Sequence, residues 1–148
     1  MNSAAVPHSN RILTVSTITF TVCFAVWTIF AIIGVKIKEE LGLNETQFGL
    51  LVAMPILTGS LIRLALGIWT DQIGGRIMLV GVMLASAIST YLLTTVNTYE
   101  LYLVAALGVG IAGGGFSVGI AYVSKFFPKE KQGTALGVFG MGNIGAAV

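Results

Sequence analysis

Long apolar stretches separated by short polar segments make up most of this chain. The first stretch, Ile12 to Val35, has 24 residues and no formal charge, which corresponds to about 36 Å of α-helix. A helix needs about 20 apolar residues to cross a hydrocarbon core of about 30 Å. The stretch is also longer than the apolar region of a signal peptide, about 7–15 residues. The pattern therefore predicts a first membrane-spanning helix.

The same pattern predicts four more spans, at residues 48–69, 77–96, 101–127 and 133–148. The fifth is still apolar where the sequence stops, after about 24 Å of helix. Polar residues before the spans predict helix starts: a capping box of Asn44 with Gln47, a second cap of Asn97 with Glu100, and Pro128 in a first turn. We therefore expect an all-α membrane protein whose residues 12–148 form membrane-spanning helices.

Charged residues are scarce and unevenly distributed. They make up 9% of the chain, against about 25% in a typical soluble domain, and the net charge of +2 is too small to indicate a nucleic-acid partner. If the predicted tail, residues 1–11, is cytoplasmic, five Lys or Arg residues lie on the inner side. Two lie on the outer side, in the predicted charged loop 36–47. The positive-inside rule then predicts a cytoplasmic N terminus. We expect a multi-pass protein of the bacterial inner membrane.

Arg63 is the one formal charge that lies well inside an apolar span. A charge at mid-helix costs about 2.5–3.5 kcal/mol on insertion scales. One interpretation is that the side chain extends to the cytoplasmic interface, about 9 Å away. The other is an anion site, because a guanidinium matches a planar oxyanion and keeps its charge. The predicted spans contain no Asp or Glu to neutralise it, which favours a mobile anion as the counter-charge.

Glycine is concentrated in the fourth and fifth spans. Three pairs have the spacing that allows membrane helices to approach closely: Gly110/Gly114, Gly115/Gly119 and Gly133/Gly137. Residues 108–113 also spell G-x-G-x-x-G, but a dinucleotide site needs a preceding strand, and this segment lies in an apolar helix. Since no other signature of catalysis is present, we expect no enzyme activity, no catalytic residue, no metal site and no cofactor.

The segment between spans two and three resembles the signature of the major facilitator superfamily, roughly G-x-x-x-D-R/K-x-G-R-R/K. Four residues match it: Gly67, Asp71, Gly74 and Arg76. Gln72 and Gly75 stand where the signature has basic residues, so one contact of its charge network is expected to be missing. The resemblance implies twelve helices in two halves, each built from inverted three-helix repeats, with residues 12–148 as part of the N-terminal transmembrane half. It also implies a cytoplasmic gate in which Asp71 caps a helix or pairs across to a neighbouring one.

Residues 113–116, 126–133, 135–137 and 140–145 resemble the nitrate/nitrite porter family, whose signature is roughly A/G-x-G-N-x-G on the fifth helix. Residues 27–30 and 58–63 are similar to its first and second helices, and the fragment as a whole is closest to the nitrate/proton symporter branch. The resemblance implies that Arg63 holds the anion, that Phe30 and Phe116 stack against it, and that three residues line or flex the site: Gly113, Gly140 and Asn143. The family's second substrate arginine belongs to the other half.

The resemblance implies secondary active transport of nitrate or nitrite by alternating access, as nitrate:proton symport or nitrate/nitrite exchange. Either removes the cost of moving an anion against the membrane potential, about 2.3 kcal/mol per 100 mV. The implied partners are nitrate or nitrite, protons, membrane lipid and a C-terminal half of the same chain. Two alternatives stay open: a carrier of another oxyanion or an organic acid, and a membrane sensor or subunit that does not transport.

Overall fold

A computed structural model describes residues 8–147, and every regular element in that range is helical. The α-helices are α1 (Ser9–Trp27), α2 (Ile29–Leu41), α3 (Glu45–Ile73), α4 (Gly75–Leu93), α5 (Tyr99–Gly110), α6 (Gly115–Ser124) and α7 (Lys129–Gly140). Two 3-10 segments interrupt or extend them, the first at Ile111–Gly114 and the second at Met141–Ala146. The all-α class predicted from the sequence is confirmed.

Four of the helical stretches are long and apolar enough to cross a membrane: Ser9–Leu41, Glu45–Ile73, Gly75–Leu93 and Tyr99–Ser124. They correspond to the first four predicted spans. The fifth predicted span corresponds to the end of α7 and the second 3-10 segment. Its helix begins with a charged turn at Lys129 rather than at residue 133.

The first span departs most from its predicted limits. Its helix begins at Ser9, so the predicted tail 1–11 is shorter than expected, and residues 1–7 lie outside the described range. Thr28 separates α1 from α2, and α2 then continues through the predicted loop as far as Leu41. Lys and Glu are good helix formers, so these charged residues extend the helix until Gly42 ends it with a φ of 61°.

Of the three predicted helix starts, one is confirmed and two are wrong. Asn44 Oδ1 accepts a hydrogen bond from the backbone N–H of Gln47 at 2.8 Å. In return, Oε1 of Gln47 accepts one from the backbone N–H of Asn44 at 3.1 Å. Asn97 is not a cap, because Thr98 has the extended backbone that precedes α5 and makes no side-chain cap. Pro128 is the cap residue of α7 rather than its first turn, since its ψ of 153° is extended.

The fourth predicted span is not a continuous α-helix. The first 3-10 segment separates α5 from α6 where three glycines follow one another, Gly113 to Gly115. This part of the chain packs closely against α3. A Cβ atom at Gly110 would lie 2.6 Å from Cβ of Thr58 and 2.8 Å from the carbonyl oxygen of Pro55. Absent side chains therefore let the backbones of α3 and α5 meet, as the glycine spacing predicts.

The other glycine pairs behave differently from one another. Gly114 lies against Leu66, Gly115 is in ordinary contact with Cys23, and Gly119 lies against the ring of Phe139. Added Cβ atoms at Gly133 and Gly137, by contrast, would meet nothing within 4 Å. The predicted close packing at this last pair is therefore not found among the described residues.

Three buried clusters hold the helices together. The first lies between α2, α3 and α5 around Phe30 and Leu51. The second surrounds Val82 and Val118. The third joins α1, α6 and α7 around Phe20 and Phe139, whose rings stack at 4.8 Å between centroids. Many large apolar side chains remain exposed on the outside, which suits helices whose solvent is lipid.

Candidate functional site

Arg63 of α3 lies half-buried at the place where α1, α3 and the first 3-10 segment meet. Its Nε donates a hydrogen bond to the carbonyl oxygen of Gly113 at 3.1 Å. Its Cζ lies 5.4 Å from the ring centroid of Trp27 and 6.0 Å from that of Phe116. Residues from three separate elements thus hold the guanidinium within the helix bundle. This geometry favours an anion site over a side chain extended to the membrane interface.

None of these contacts neutralises the charge of Arg63. Aromatic faces attract a cation through their quadrupole, and a carbonyl accepts a hydrogen bond, but neither carries a formal negative charge. Within residues 8–147 the ion pairs are Lys38–Glu45 and Lys125–Asp71, and Arg63 belongs to neither. Because Nε is engaged, the two Nη groups remain as the donor pair that can meet a flat oxyanion with two parallel hydrogen bonds.

Trp27 is the site residue that the sequence did not identify. Its indole N–H donates to the carbonyl oxygen of Pro55 at 2.9 Å. Its ring lies between Gly59 of α3 and Gly113 of the first 3-10 segment. The available signal was the spacing of Gly59 and Arg63, which puts a residue without a side chain one turn before the arginine on the same helix face.

Phe30 and Phe116 occupy different surroundings. Phe116 lies beside Arg63 and also contacts Phe20, with ring centroids 5.4 Å apart. Phe30 is 1% exposed and belongs to the cluster with Leu51, on the other side of the break at Thr28. The aromatic residue of the first span that lies beside the guanidinium is therefore Trp27. The structure does not bring Phe30 to Arg63.

Gly140 and Asn143 are not brought to Arg63 by any contact of the described residues. Asn143 is exposed in the second 3-10 segment, and the space beside Gly140 is open. The segment is fixed to α1 through its other glycines, since a Cβ atom at Gly142 would lie 2.5 Å from the ring of Phe20. The segment therefore packs on α1 through Gly142, while the side chain of Asn143 is exposed.

The predicted gate residues lie where α3 ends and α4 begins. Gly67 is half-buried in α3, and Asp71 lies in its last turn. Gly74, with a φ of 107°, makes the turn into α4, a backbone conformation that side chains other than glycine rarely adopt. Asp71 Oδ1 lies 3.0 Å from Nζ of Lys125, just beyond α6. The pair connects the ends of α3 and α6, and both side chains are substantially exposed.

Packing explains why position 75 is not basic. Gly75 is buried against the ring of Tyr122, and a Cβ atom there would overlap that ring. Lys125, three residues after Tyr122, supplies the positive charge next to Asp71 instead. Arg76 is exposed and lines a cleft of about 500 Å³ with Arg11, between α1, α4 and α6.

Comparison with known proteins places this geometry in a family. A family model described as Major Facilitator Superfamily matches residues 15–148. Over 142 residues the chain is 47% identical to "Probable nitrate/nitrite antiporter NarK1" of Thermus thermophilus, covering 96% of this chain and 32% of that protein.

Two further relatives are named "Probable nitrate transporter NarT". The chain is 32% identical to the protein of Staphylococcus carnosus (strain TM300) and 34% identical to that of Staphylococcus aureus (strain JH9). Each match covers 92% of this chain and 35% of the relative, so the chain spans about a third of the length of these proteins. The chain belongs to the major facilitator superfamily.

Proposed function

We propose that the protein carries nitrate or nitrite across the bacterial inner membrane by alternating access, and that Arg63 is an anion ligand. The observation that supports this best is the state of Arg63: a guanidinium held inside a helix bundle by a carbonyl and two aromatic rings. Relatives named as nitrate transporters and as a nitrate/nitrite antiporter support the same substrate class.

The chemistry of the guanidinium fits a flat oxyanion. Arg presents N–H donors in a rigid plane, so an anion with oxygens in one plane accepts two parallel hydrogen bonds edge to edge. The charge of Arg63 favours a counter-charge because even a half-buried cation is costly between apolar membrane helices. An arriving anion supplies it, and its departure restores the unpaired state.

The charge of the transported anion determines which ions its entry must be coupled to. Entry of a single anion against an inside-negative potential costs about 2.3 kcal/mol per 100 mV, and either proton co-entry or exchange for an outgoing anion removes this cost. The described helices that could span a membrane are Asp- and Glu-free except near their ends. A proton carrier is therefore expected in another part of the protein, if symport is the mechanism.

The remaining site residues complete the proposal. Phe116 and Gly113 contact Arg63 and form the floor of the anion site. Phe30, Gly140 and Asn143 act only through the second half or through a change of state, because no contact links them to Arg63 here. The cytoplasmic gate is formed by Gly67, Asp71, Gly74 and Arg76. Residues 12–148 are part of the N-terminal half, and the C-terminal half of the same protein closes the anion site.

The test is Arg63→Lys in the full-length protein, reconstituted in liposomes, with nitrate uptake and nitrate dissociation constant measured. Lys keeps the charge but has no planar fork. Loss of one bidentate contact to a charged group is worth about 1.5–3 kcal/mol, so we expect nitrate to bind about 10–100-fold more weakly. Competition by nitrite, chloride and small organic acids measures whether flat oxyanions are preferred.

The matched control is Arg11→Lys, the same exchange at an exposed position of α1. It should leave the dissociation constant unchanged. Uptake by well-folded Arg63→Lys protein at the rate of the unmodified protein would show that Arg63 is not an anion ligand. The assignment to the superfamily would stand in that case.

A further inference from the structure

The indole of Trp27 occupies a slot that only glycines on two different helices can form. A Cβ atom at Gly59 would lie 2.8 Å from Nε1 of Trp27 and 3.0 Å from the carbonyl oxygen of Gly110. A Cβ atom at Gly113 would lie 2.8 to 3.0 Å from three atoms of the same indole. These distances are too short for real side-chain contacts, so α3 and the first 3-10 segment accept the indole only because both positions lack a side chain.

The orientation of this indole is fixed as well as its place. Its single N–H donates to the carbonyl oxygen of Pro55 at 2.9 Å. Indole has no other donor and no acceptor. Trp27 therefore cannot hydrogen-bond an anion, and what it offers to the interior is its ring face. That face lies 5.4 Å from Cζ of Arg63.

We propose that Trp27 is the positioning residue of Arg63: it fixes the plane of the guanidinium, and through that plane it sets the preference for flat anions. This deepens the proposed function and rests on it. Cζ of Arg63 lies 5.4 Å from the ring centroid of Trp27 and 6.0 Å from that of Phe116, and Nε donates to the carbonyl oxygen of Gly113. Of these three supports, only Trp27 is itself held by a hydrogen bond and by two glycine contacts.

A fixed plane matters differently for different anions. A planar oxyanion gains two aligned hydrogen bonds only if the guanidinium already stands in the correct plane. A spherical anion such as chloride gains mainly from the charge, wherever the fork points. Loosening Arg63 should therefore weaken nitrate binding more than chloride binding. A general loss of structure would weaken both together.

The experiment uses Trp27→Phe and Trp27→Leu in the full-length protein, each with Arg63 intact and with Arg63→Gln. Nitrate and chloride dissociation constants are measured, with thermal midpoints as the folding control. Phe keeps a ring face without the N–H, and Leu removes the ring. From the size of desolvated cation–π contacts we expect Trp27→Leu to weaken nitrate about tenfold and Trp27→Phe about threefold or less. The nitrate-to-chloride preference should fall with the ring.

The arginine-free background decides whether Trp27 acts through Arg63. With Arg63→Gln present, Trp27→Leu should change the remaining nitrate binding less than about twofold, because the coupled partner is gone. Equal losses in both backgrounds, or equal losses for nitrate and chloride, would overturn the proposal. If Trp27→Leu does not fold, Trp27→Met fills more of the slot without a ring and takes its place.

A second readout does not depend on nitrate. Phenylglyoxal reacts with accessible guanidinium groups, and peptide mass spectrometry measures its attachment at Arg63. Release of the guanidinium from the ring of Trp27 should make labelling several-fold faster in Trp27→Leu and leave Trp27→Phe near the unmodified rate. Unchanged labelling in Trp27→Leu would refute the positioning role even if Arg63 proves unimportant for nitrate, in which case the proposed function fails separately.

Discussion

Gly113 has two roles that no other residue type can combine. Its carbonyl oxygen accepts a hydrogen bond from Nε of Arg63, and the absence of a side chain leaves room for the indole of Trp27. The sequence indicated Gly113 as a residue lining the site through family resemblance. The structure gives a physical reason for glycine at this position, namely contact with two residues from two other helices.

Gly113→Ala should damage the site because its methyl group would lie 2.8 to 3.0 Å from three indole atoms. Overpacking of this kind costs about 1–3 kcal/mol. We expect a lower thermal midpoint and nitrate binding weakened several-fold, measured on the purified full-length protein. The control is Gly81→Ala in α4, where an added Cβ atom meets nothing within 4 Å, and it should bind nitrate normally. Normal nitrate affinity of Gly113→Ala would contradict the packing explanation.

The site shows where inference from a single sequence stops. Arg63 could be identified because a charge in an apolar span is costly and therefore informative. Trp27 could not, because its importance arises from contacts with Gly59 and Gly113, which are far from it in the chain. Resemblance pointed to Phe30 instead, three residues further on. Trp27 and Phe30 lie on either side of Thr28, and helix packing directs Phe30 into the cluster with Leu51.

Among elements, the spans were predictable and their irregularities were not. Hydropathy identifies a membrane helix because lipid offers no hydrogen-bond partner to the backbone, so an apolar run must be helical. Hydropathy carries no information on where a helix tightens. The two 3-10 segments, Ile111–Gly114 and Met141–Ala146, both contain glycines packed against neighbouring helices. These helices are α1 and α3 for the first segment and α1 for the second.

The ends of α3 and α6 are connected by the Asp71–Lys125 pair, which contributes little to stability. The Asp71 and Lys125 side chains are 67% and 48% exposed, and exposed ion pairs typically contribute about 0–1 kcal/mol. An effect of this pair on transport would therefore come from its presence in one state of the gate and its absence in another, since a weak contact can still bias two states of similar free energy.

Charge reversal tests this view of the gate. Asp71→Lys and Lys125→Asp should each slow nitrate uptake in liposomes while the nitrate dissociation constant stays within about twofold. The double exchange restores opposite charges and should recover part of the rate. Glu45→Gln is the control, because it removes the other ion pair of the described residues, Lys38–Glu45. A collapse of nitrate affinity in Asp71→Lys would instead make Asp71 a substrate residue.

At the scale of the whole molecule, the charges at the two ends of the helix bundle predict how it is oriented in the membrane. α3, α4 and the α5–α6 stretch each cross the bundle once, so Glu45 and Lys129 lie at opposite ends of it. The Lys and Arg residues number five at the Lys129 end and two at the Glu45 end. From the positive-inside rule we predict that the Lys129 end, with the Asp71–Lys125 pair, faces the cytoplasm.

Cysteine labelling tests that orientation directly. Glu45→Cys and Lys129→Cys are made separately in the full-length protein, and intact cells are treated with a membrane-impermeant maleimide. Both positions are exposed, whereas the native Cys23 is only 2% exposed and should not react. We expect Glu45→Cys to be labelled in intact cells, and Lys129→Cys only after the membrane is opened, because about 43 Å of α3 separates the two faces.

Labelling of both positions in intact cells would refute the topology, and the reverse pattern would place the N terminus outside. The reverse pattern would also move the proposed gate to the other side of the membrane, and neither result would change the contacts of Arg63.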